Sequence, residues 1–231
     1  GQILGQYFGL IWEGFYNTWE EVNSLARPKS SWNNNMIQPG DLKYRDVNGD
    51  GVIDTNDMVP IGYSNFPEIT YGVSFGGGWR GLDFSVLFQG ATHVSLQYSR
   101  YFTRGFGEFF SASEDLKYSW SQERYENGEV IKYPHLSLGD ENQKHNYQAS
   151  SFIIRDASYL RLKNMEIGYS LNPALLKKAK MSGARIFVNG NNLVTWSHMI
   201  KGVDPEAAQQ AANYEPYPIT KTYNIGITLT F

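Results

Sequence analysis

The sequence predicts an all-β chain whose antiparallel strands belong to a transmembrane β-barrel with long outer loops and short periplasmic turns. Three observations point to this. From the end of the chain, Tyr223, Ile225, Ile227, Leu229 and Phe231 share one parity, and Asn224, Gly226, Thr228 and Thr230 share the other. Such period-2 alternation marks a strand with one apolar and one polar face. Two earlier segments repeat it. Ile69, Tyr71, Val73 and Phe75 alternate with Thr70, Gly72, Ser74 and Gly76. Leu82, Phe84, Val86, Phe88, Val94, Leu96 and Tyr98 oppose Asp83, Ser85, Gln89, His93, Ser95 and Gln97, with Leu87 out of pattern. Third, the connections run long (19–68), short (77–81), long (99–158), short (172–183) and long (197–218). Outer-membrane barrels sort their loops this way. The last strand alone fits a soluble β-sandwich equally well, but a sandwich has no reason to segregate loops by length.

Composition narrows the function. The 231 residues hold 20 Lys+Arg against 23 Asp+Glu, a formal charge of −3. No basic field is available for nucleic acid, which is therefore not expected as a partner. The absence of Cys rules out disulfides and thiolate metal sites. Mean hydropathy is −0.44, and no apolar run approaches the ~20 residues of a spanning helix. Barrel strands are only half apolar, so this does not count against them. No signal peptide begins at Gly1, and the opening G-Q-Y-F-G-L-I-W starts mid-pattern, as expected of a piece of a longer chain.

In chain order, Tyr7 to Thr18 has an apolar set at Phe8, Leu10, Trp12 and Tyr16 and is expected to be a strand. Trp19 to Pro39 is polar, with Arg27-Pro28 and the run Asn33-Asn34-Asn35; it reads as a loop with a helical turn around Glu20 to Leu25. The alternating segments from Ile69 and from Leu82 form a long hairpin, its apolar face about as long as the ~9–11 residues of a membrane strand. Arg100 to Ser158 is irregular and rich in aromatics (Phe102, Phe106, Phe109, Phe110, Tyr118, Trp120, Tyr125, Tyr133, Tyr147), with one short helix over Asp115 to Arg124. Those rings suit sugar stacking or contact with a protein lid, or simply pack the loop on itself. In Tyr159 to Leu171 the apolar parity switches after Leu160 and Leu162 to Met165, Ile167, Tyr169 and Leu171. A switch near Lys163-Asn164 predicts a β-bulge. Pro173 starts one helical turn, Ala184 to Trp196 is a strand, and Lys201 to Pro218 is a loop containing Asp204-Pro205-Glu206 and a helix-friendly A-A-Q-Q-A-A.

One motif carries chemistry. D-V-N-G-D-G-V-I-D-T-N-D, residues 46–57, has the spacing of an EF-hand-like calcium loop. Side-chain oxygens fall at Asp46, Asn48, Asp50, Asp54 and Asp57; Val52 offers a carbonyl, Gly51 takes the sharp turn and Ile53 is the apolar anchor. A hard cation needs six to eight oxygens around one point, which this spacing supplies. The position filled by Asp57 usually holds the longer Glu, so bidentate reach is shorter here. No second helix follows, because Pro60, Gly62 and Pro67 intervene. A structural Ca2+ clip is the expected role; the plain alternative is an Asx-rich turn whose side chains bond their own backbone.

The blocks P-G-D-L-K-Y-R-D-V-N-G-D-G-V-I-D (39–54), G-L-D-F-S-V-L-F-Q-G (81–90), D-A-S-Y-L-R-L-K-N-M-E-I-G-Y-S-L (156–171), R-I-F-V-N-G-N-N-L (185–193) and V-D-P-E (203–206), with the terminal strand, resemble the C-terminal part of SusC/RagA-type TonB-dependent outer-membrane transporters. The aromatic Phe231 resembles the C-terminal signal of outer-membrane barrels. The resemblance spans residues 1–231 and implies a C-terminal fragment of a plugged barrel of roughly 22 strands. It implies nutrient uptake of glycans or peptides (oligosaccharides or oligopeptides) and a SusD-like surface lipoprotein as lid. It also implies a TonB complex reached through N-terminal regions missing here, contact with membrane lipid, and residence in the cell outer membrane as an integral multi-pass barrel. About six strands are too few to close so wide a barrel, so open edges are expected.

The alternative function is a secreted calcium-binding all-β binding module, similar to a dockerin or adhesin, though dockerins repeat their loop with a helix. An enzyme is not expected. Glu68, Asp83, Glu166 and Glu206 are scattered singly, and His93, His135, His145 and His198 show neither metal-ligand spacing nor a nucleophile partner. No catalytic or substrate-binding residue is assigned. Asp83, Gln89, His93, Asn224 and Thr228 are expected to share the polar, lumen-facing side of the strands and to form the wall of a polar passage.

Overall fold

The computed structural model describes residues 1–28, 37–98, 113–136, 144–177, 180–206 and 219–231. The run Asn33-Asn34-Asn35, the rings of Phe102, Phe106, Phe109 and Phe110, and the A-A-Q-Q-A-A stretch lie outside them. The chain divides into two compact units, one built mainly from residues 1–65 and 95–155, the other from 66–94, 156–210 and 216–231.

The second unit is a five-stranded antiparallel sheet made of β7 (Ile69–Trp79), β8 (Leu82–Thr92), β11 (Tyr159–Ser170), β12 (Gly183–Ser197) and β13 (Thr222–Thr230), in the order β13-β12-β11-β8-β7. The hairpin runs further than its alternation suggests. β7 continues through Gly77 and Gly78 to Trp79, and the turn is only Arg80-Gly81, both at positive φ (51° and 91°). A two-residue turn with two left-handed positions matches the twist of the flanking strands, and glycine takes the second at no steric cost. β8 stops at Thr92, where His93 has φ 54°, so the expected strand to Tyr98 breaks there. The bulge in β11 is where the parity switch put it: register shifts between Leu162 and Asn164 against both neighbours. α3 (Pro173–Leu176) starts at its proline, capped by Asn172 Oδ1 accepting from the Ala174 N–H.

Register lines the apolar residues up across all five strands. One row is Trp79–Leu82–Tyr169–Ile186–Ile227, and the next holds Phe84, Ile167, Val188 and Ile225. This face is uncovered: Phe75 is 52% exposed, Phe84 43% and Ile227 64%. These side chains are not sealed in a two-layer core.

The barrel itself is not there. Among the described residues β7 bonds only β8 and β13 only β12, so the sheet ends in two edges and does not close. Alternation specifies a strand with two unlike faces; closure also needs a strand number and stagger that bring the edges together, and no local pattern encodes that. The expected transmembrane β-barrel is therefore corrected to an open sheet. The expected location as an integral multi-pass outer-membrane barrel is corrected with it, since the described strands form an open sheet and no closed spanning barrel. No helix among the described residues is long and apolar enough to cross a membrane.

The first unit is built from short pieces. β1 (Gln6–Gly9) pairs with β6 (Val59–Ser64), β2 (Trp12–Phe15) with β4 (Leu42–Tyr44), β3 (Arg27–Pro28) with β5 (Val52–Ile53), and β9 (Ser95–Gln97) with β10 (Ile154–Asp156). The single strand expected over Tyr7 to Thr18 is thus two, and the expected long loop 19–68 holds four short strands. Strands of two to six residues are too short for periodicity to show. α1 (Trp19–Ser24) sits at the expected helical turn, capped by the Thr18 hydroxyl accepting from Glu21 N–H. The helix expected over Asp115 to Arg124 is instead a 3-10 turn, Glu114–Tyr118, followed by α2 (Gln122–Glu126). The core of this unit gathers Leu10, Leu42, Tyr44, Ile53, Ile61, Phe152 and Ile154, with Tyr133 and Leu116 from the aromatic-rich stretch packed among them. Tyr118 lies under the ammonium groups of Lys117 and Lys132. Tyr133 therefore packs the stretch onto its own unit, one of the two fates expected for these rings.

Candidate functional site

The acidic loop in the first unit folds as its spacing demands. Gly51 has φ 81°, the left-handed conformation that the sixth position requires. Ile53 is fully buried in the core, the anchor expected of the eighth position. Each oxygen-bearing side chain accepts from the main chain. Asp46 takes the N–H of Gly49 (2.7 Å) and Gly51 (2.8 Å), Asn48 that of Asp50 (2.9 Å), Asp50 that of Val52 (2.8 Å), and Asp54 that of Asn56 (2.7 Å). Asp57 is fully buried and holds the loop shut: Oδ1 accepts from Val47 (2.8 Å) and Asn48 (3.4 Å), Oδ2 from Asp54 (2.8 Å). Asp54 and Asp57 form a reciprocal capping box around Thr55–Asp57. Among the described residues no group of three or more His, Asp or Glu converges as a metal cluster.

The polar face of the five-stranded sheet carries a second group. Arg185 on β12 reaches across β11 over Gly168, where a Cβ would lie 2.2 Å from the guanidinium. Its Nε and Nη2 donate to the two oxygens of Asp83 on β8, the first at 3.0 Å, and Nη2 also donates to Glu166 Oε1 at 2.8 Å. Asn189 Nδ2 donates to Glu166 Oε2 at 3.1 Å, and Asn224 Nδ2 to Asn189 Oδ1 at 2.9 Å. Hydrogen bonds from Arg185 hold the Asp83 and Glu166 carboxyls below the usual carboxylate range, and both acids raise Arg185 in return. Gly168→Ala pushes the guanidinium aside, so both carboxyl groups are expected to titrate at higher pH than in the parent when followed by NMR. Unchanged titration would mean that Arg185 keeps both bonds by another path.

Of the five residues expected to share this face, Asp83 and Asn224 are in the network, and Gln89 and Thr228 lie on β8 and β13. His93 does not: it sits in the turn after β8, with Nδ1 2.9 Å from Glu68 Oε2. At the end of the sheet an open cavity of about 690 Å3 is bounded by Arg80, Ser170, Asn172, Thr228 and Thr230.

Sequence reasoning missed the strongest charge cluster of this unit. Arg161 on β11 is 1% exposed, with Nη2 bonded to both oxygens of Asp204 at 2.7 Å and Nη1 to Glu206 Oε2 at 2.9 Å. Lys163 Nζ donates to both oxygens of Glu206 at 2.9 and 3.0 Å. The V-D-P-E block is thereby fastened to the strand that bulges at Lys163. Its signal was a charged residue at a strand position flanked by Leu160 and Leu162.

No family model matches the chain. It is nevertheless homologous, at low identity and over its full length, to TonB-dependent receptors of the SusC/RagA kind. A TonB-dependent receptor of Formosa agariphila is 27% identical over 243 residues, covering 100% of this chain and 23% of the receptor. The TonB-dependent receptor SusC of Bacteroides thetaiotaomicron is 26% identical over 203 residues, covering 84% of this chain and 18% of SusC. The fold is that of part of the RagAB peptide transporter, with a TM-score of 0.67 at 23% identity over 98% of this chain and 22% of that one. The RagAB peptide importer in its 'open-open' state gives 0.66 at 24% identity. This chain thus spans about a quarter or less of the length of each relative. They are receptors and importers rather than enzymes, in agreement with the expectation that this chain is not an enzyme.

Proposed function

We propose that these residues form the C-terminal part of a SusC/RagA-type TonB-dependent receptor and serve the uptake of oligosaccharides or oligopeptides. The uptake works with a SusD-like surface lipoprotein and is energised by TonB through regions outside these 231 residues. The observation that supports this most is that TonB-dependent receptors match the chain along its whole length, in sequence and in fold. The five blocks spread from residue 39 to residue 206 support the same placement, because they occur in the order that the resemblance requires. The acidic loop is proposed as a structural Ca2+ clip held by Asp46, Asn48, Asp50, Asp54 and Asp57 with the Val52 carbonyl. The Asp46 oxygens and Asp54 Oδ1 each accept one backbone N–H and keep a second lone pair for a cation.

Affinity purification of the tagged native gene product tests the partnership. A SusD-like lipoprotein encoded beside it is expected to co-purify in comparable amount. Its absence, with the tagged protein intact and folded, would count against the uptake reading and favour a stand-alone binding module.

A further inference from the structure

The first unit contains a buried polar joint that neither the acidic loop nor the sheet uses. At Leu42 the free edge of β4 is completed by side chains from more than a hundred residues away rather than by another strand. Asn146 Oδ1 accepts from the Leu42 N–H at 2.8 Å, and His145 Nε2 lies 2.5 Å from the Leu42 carbonyl. Asn146 Nδ2 donates to Asp41 Oδ1 at 2.7 Å, and the Tyr44 hydroxyl donates to the His145 carbonyl at 3.1 Å. Four bonds therefore tie Asp41, Leu42 and Tyr44 to His145 and Asn146, all five residues at most 3% exposed.

The protonation state of His145 follows from its partners. A carbonyl oxygen only accepts, so Nε2 must carry the ring proton. The other nitrogen, Nδ1, is buried with no hydrogen-bond partner. His145 is held neutral, and a second proton would create a buried charged N–H with nothing to receive it. The Tyr44 ring meets it edge-on, with centroids 4.9 Å apart. Other titratable groups face the joint. Asp41 favours a charged His145, and the Tyr16 and Tyr44 hydroxyls are raised by burial with Asp41 adding to it. His135 faces the far side of Asp41, with Nδ1 3.2 Å from Oδ1 and Nε2 2.6 Å from Gln38 Nε2.

We propose that this joint is an acid-sensitive release: protonation of His145 frees the turn 144–148 from β4, while neutral pH holds it closed. Burial outweighs the pull of Asp41 and lowers the His145 pKa below its ordinary 6.5. The unfolded or opened segment therefore takes up a proton that the closed joint refuses. Stability of the joint is fully present above about pH 6.5 and is lost as pH falls through the depressed folded value.

Hydrogen exchange of the full chain, corrected for intrinsic rates, reads this directly. Protection of the Leu42 amide and of amides 145–148 is expected to fall by about tenfold per pH unit below about pH 6.5, one proton being linked to opening. His145→Gln keeps a donor for the Leu42 carbonyl without a titrating ring, and its protection is expected to be flat over the same range. His135→Gln is expected to keep the wild-type slope. A slope that persists in His145→Gln, or that disappears in His135→Gln, overturns the proposal. Should His145→Gln fail to fold, NMR of the wild-type imidazole decides: a ring that becomes charged near pH 6.5 in the closed protein also overturns it.

Discussion

Replacing Arg161 by alanine is expected to destabilise the five-stranded sheet by about 3–5 kcal/mol, the cost of breaking a buried ion pair from one side. The guanidinium is nearly solvent-free and bonds Asp204 and Glu206 together. Without it, Asp204, whose side chain is only 12% exposed, keeps its charge with its main cation gone. Lys163 cannot compensate, because both of its bonds go to Glu206. The expected signature is local as well as global: amides of β11 around the bulge and of the loop leading to Asp204 lose protection before those of β7. Arg161→Lys is not conservative here, since one ammonium cannot bond both acids with the geometry of a planar fork. Combining Arg161→Met with Asp204→Asn and Glu206→Gln is expected to recover much of the loss, because no buried charge is stranded and Lys163, whose side chain is 26% exposed, keeps water for its ammonium. Recovery by Arg161→Lys alone would show that the site needs only a positive charge.

Asp57→Ala is expected to cost about 3 kcal/mol, since removing this fully buried carboxylate leaves three part-buried N–H groups without their acceptor and a cavity in its place. Its oxygens receive Val47, Asn48 and Asp54, which are the ends of the loop, so their loss opens the loop at its base. Ile53 lies inside that loop and inside the core, and the damage should spread to β3 and β5. The same variant tests the cation clip. Millimolar Ca2+ is expected to raise the unfolding temperature of the parent and to leave Asp57→Ala unmoved. An equal response in both would remove Asp57 from any ion site, and no response in either would leave the loop an Asx-rich turn.

Much of the sheet was legible because β7, β8, β11 and β13 are long enough for alternation to show, and because a parity switch has one structural meaning, the bulge after Leu162. The acidic loop was legible for a different reason: all of its contacts are local. Closure was not, since an open sheet and a barrel write the same two-faced strand, and the exposed row from Trp79 to Ile227 looks alike in both. The first unit was hidden by the brevity of its strands. Its joint at Leu42 was hidden by distance, because nothing near Asp41 announces that Asn146 will be its partner. Arg185 shows the intermediate case. Its parity was readable, but its reach over Gly168 to Asp83 depends on a register between three strands that no single segment records.

Uptake by living cells tests the central claim most directly. Cells carrying the intact gene, a deletion of the region encoding these residues, and the deletion with a restored copy are compared for import of labelled oligosaccharides and oligopeptides, each with and without TonB. Import that is lost on deletion, returns with the restored copy and vanishes without TonB is the expected result. Import indifferent to both the deletion and TonB would contradict a role in TonB-dependent uptake.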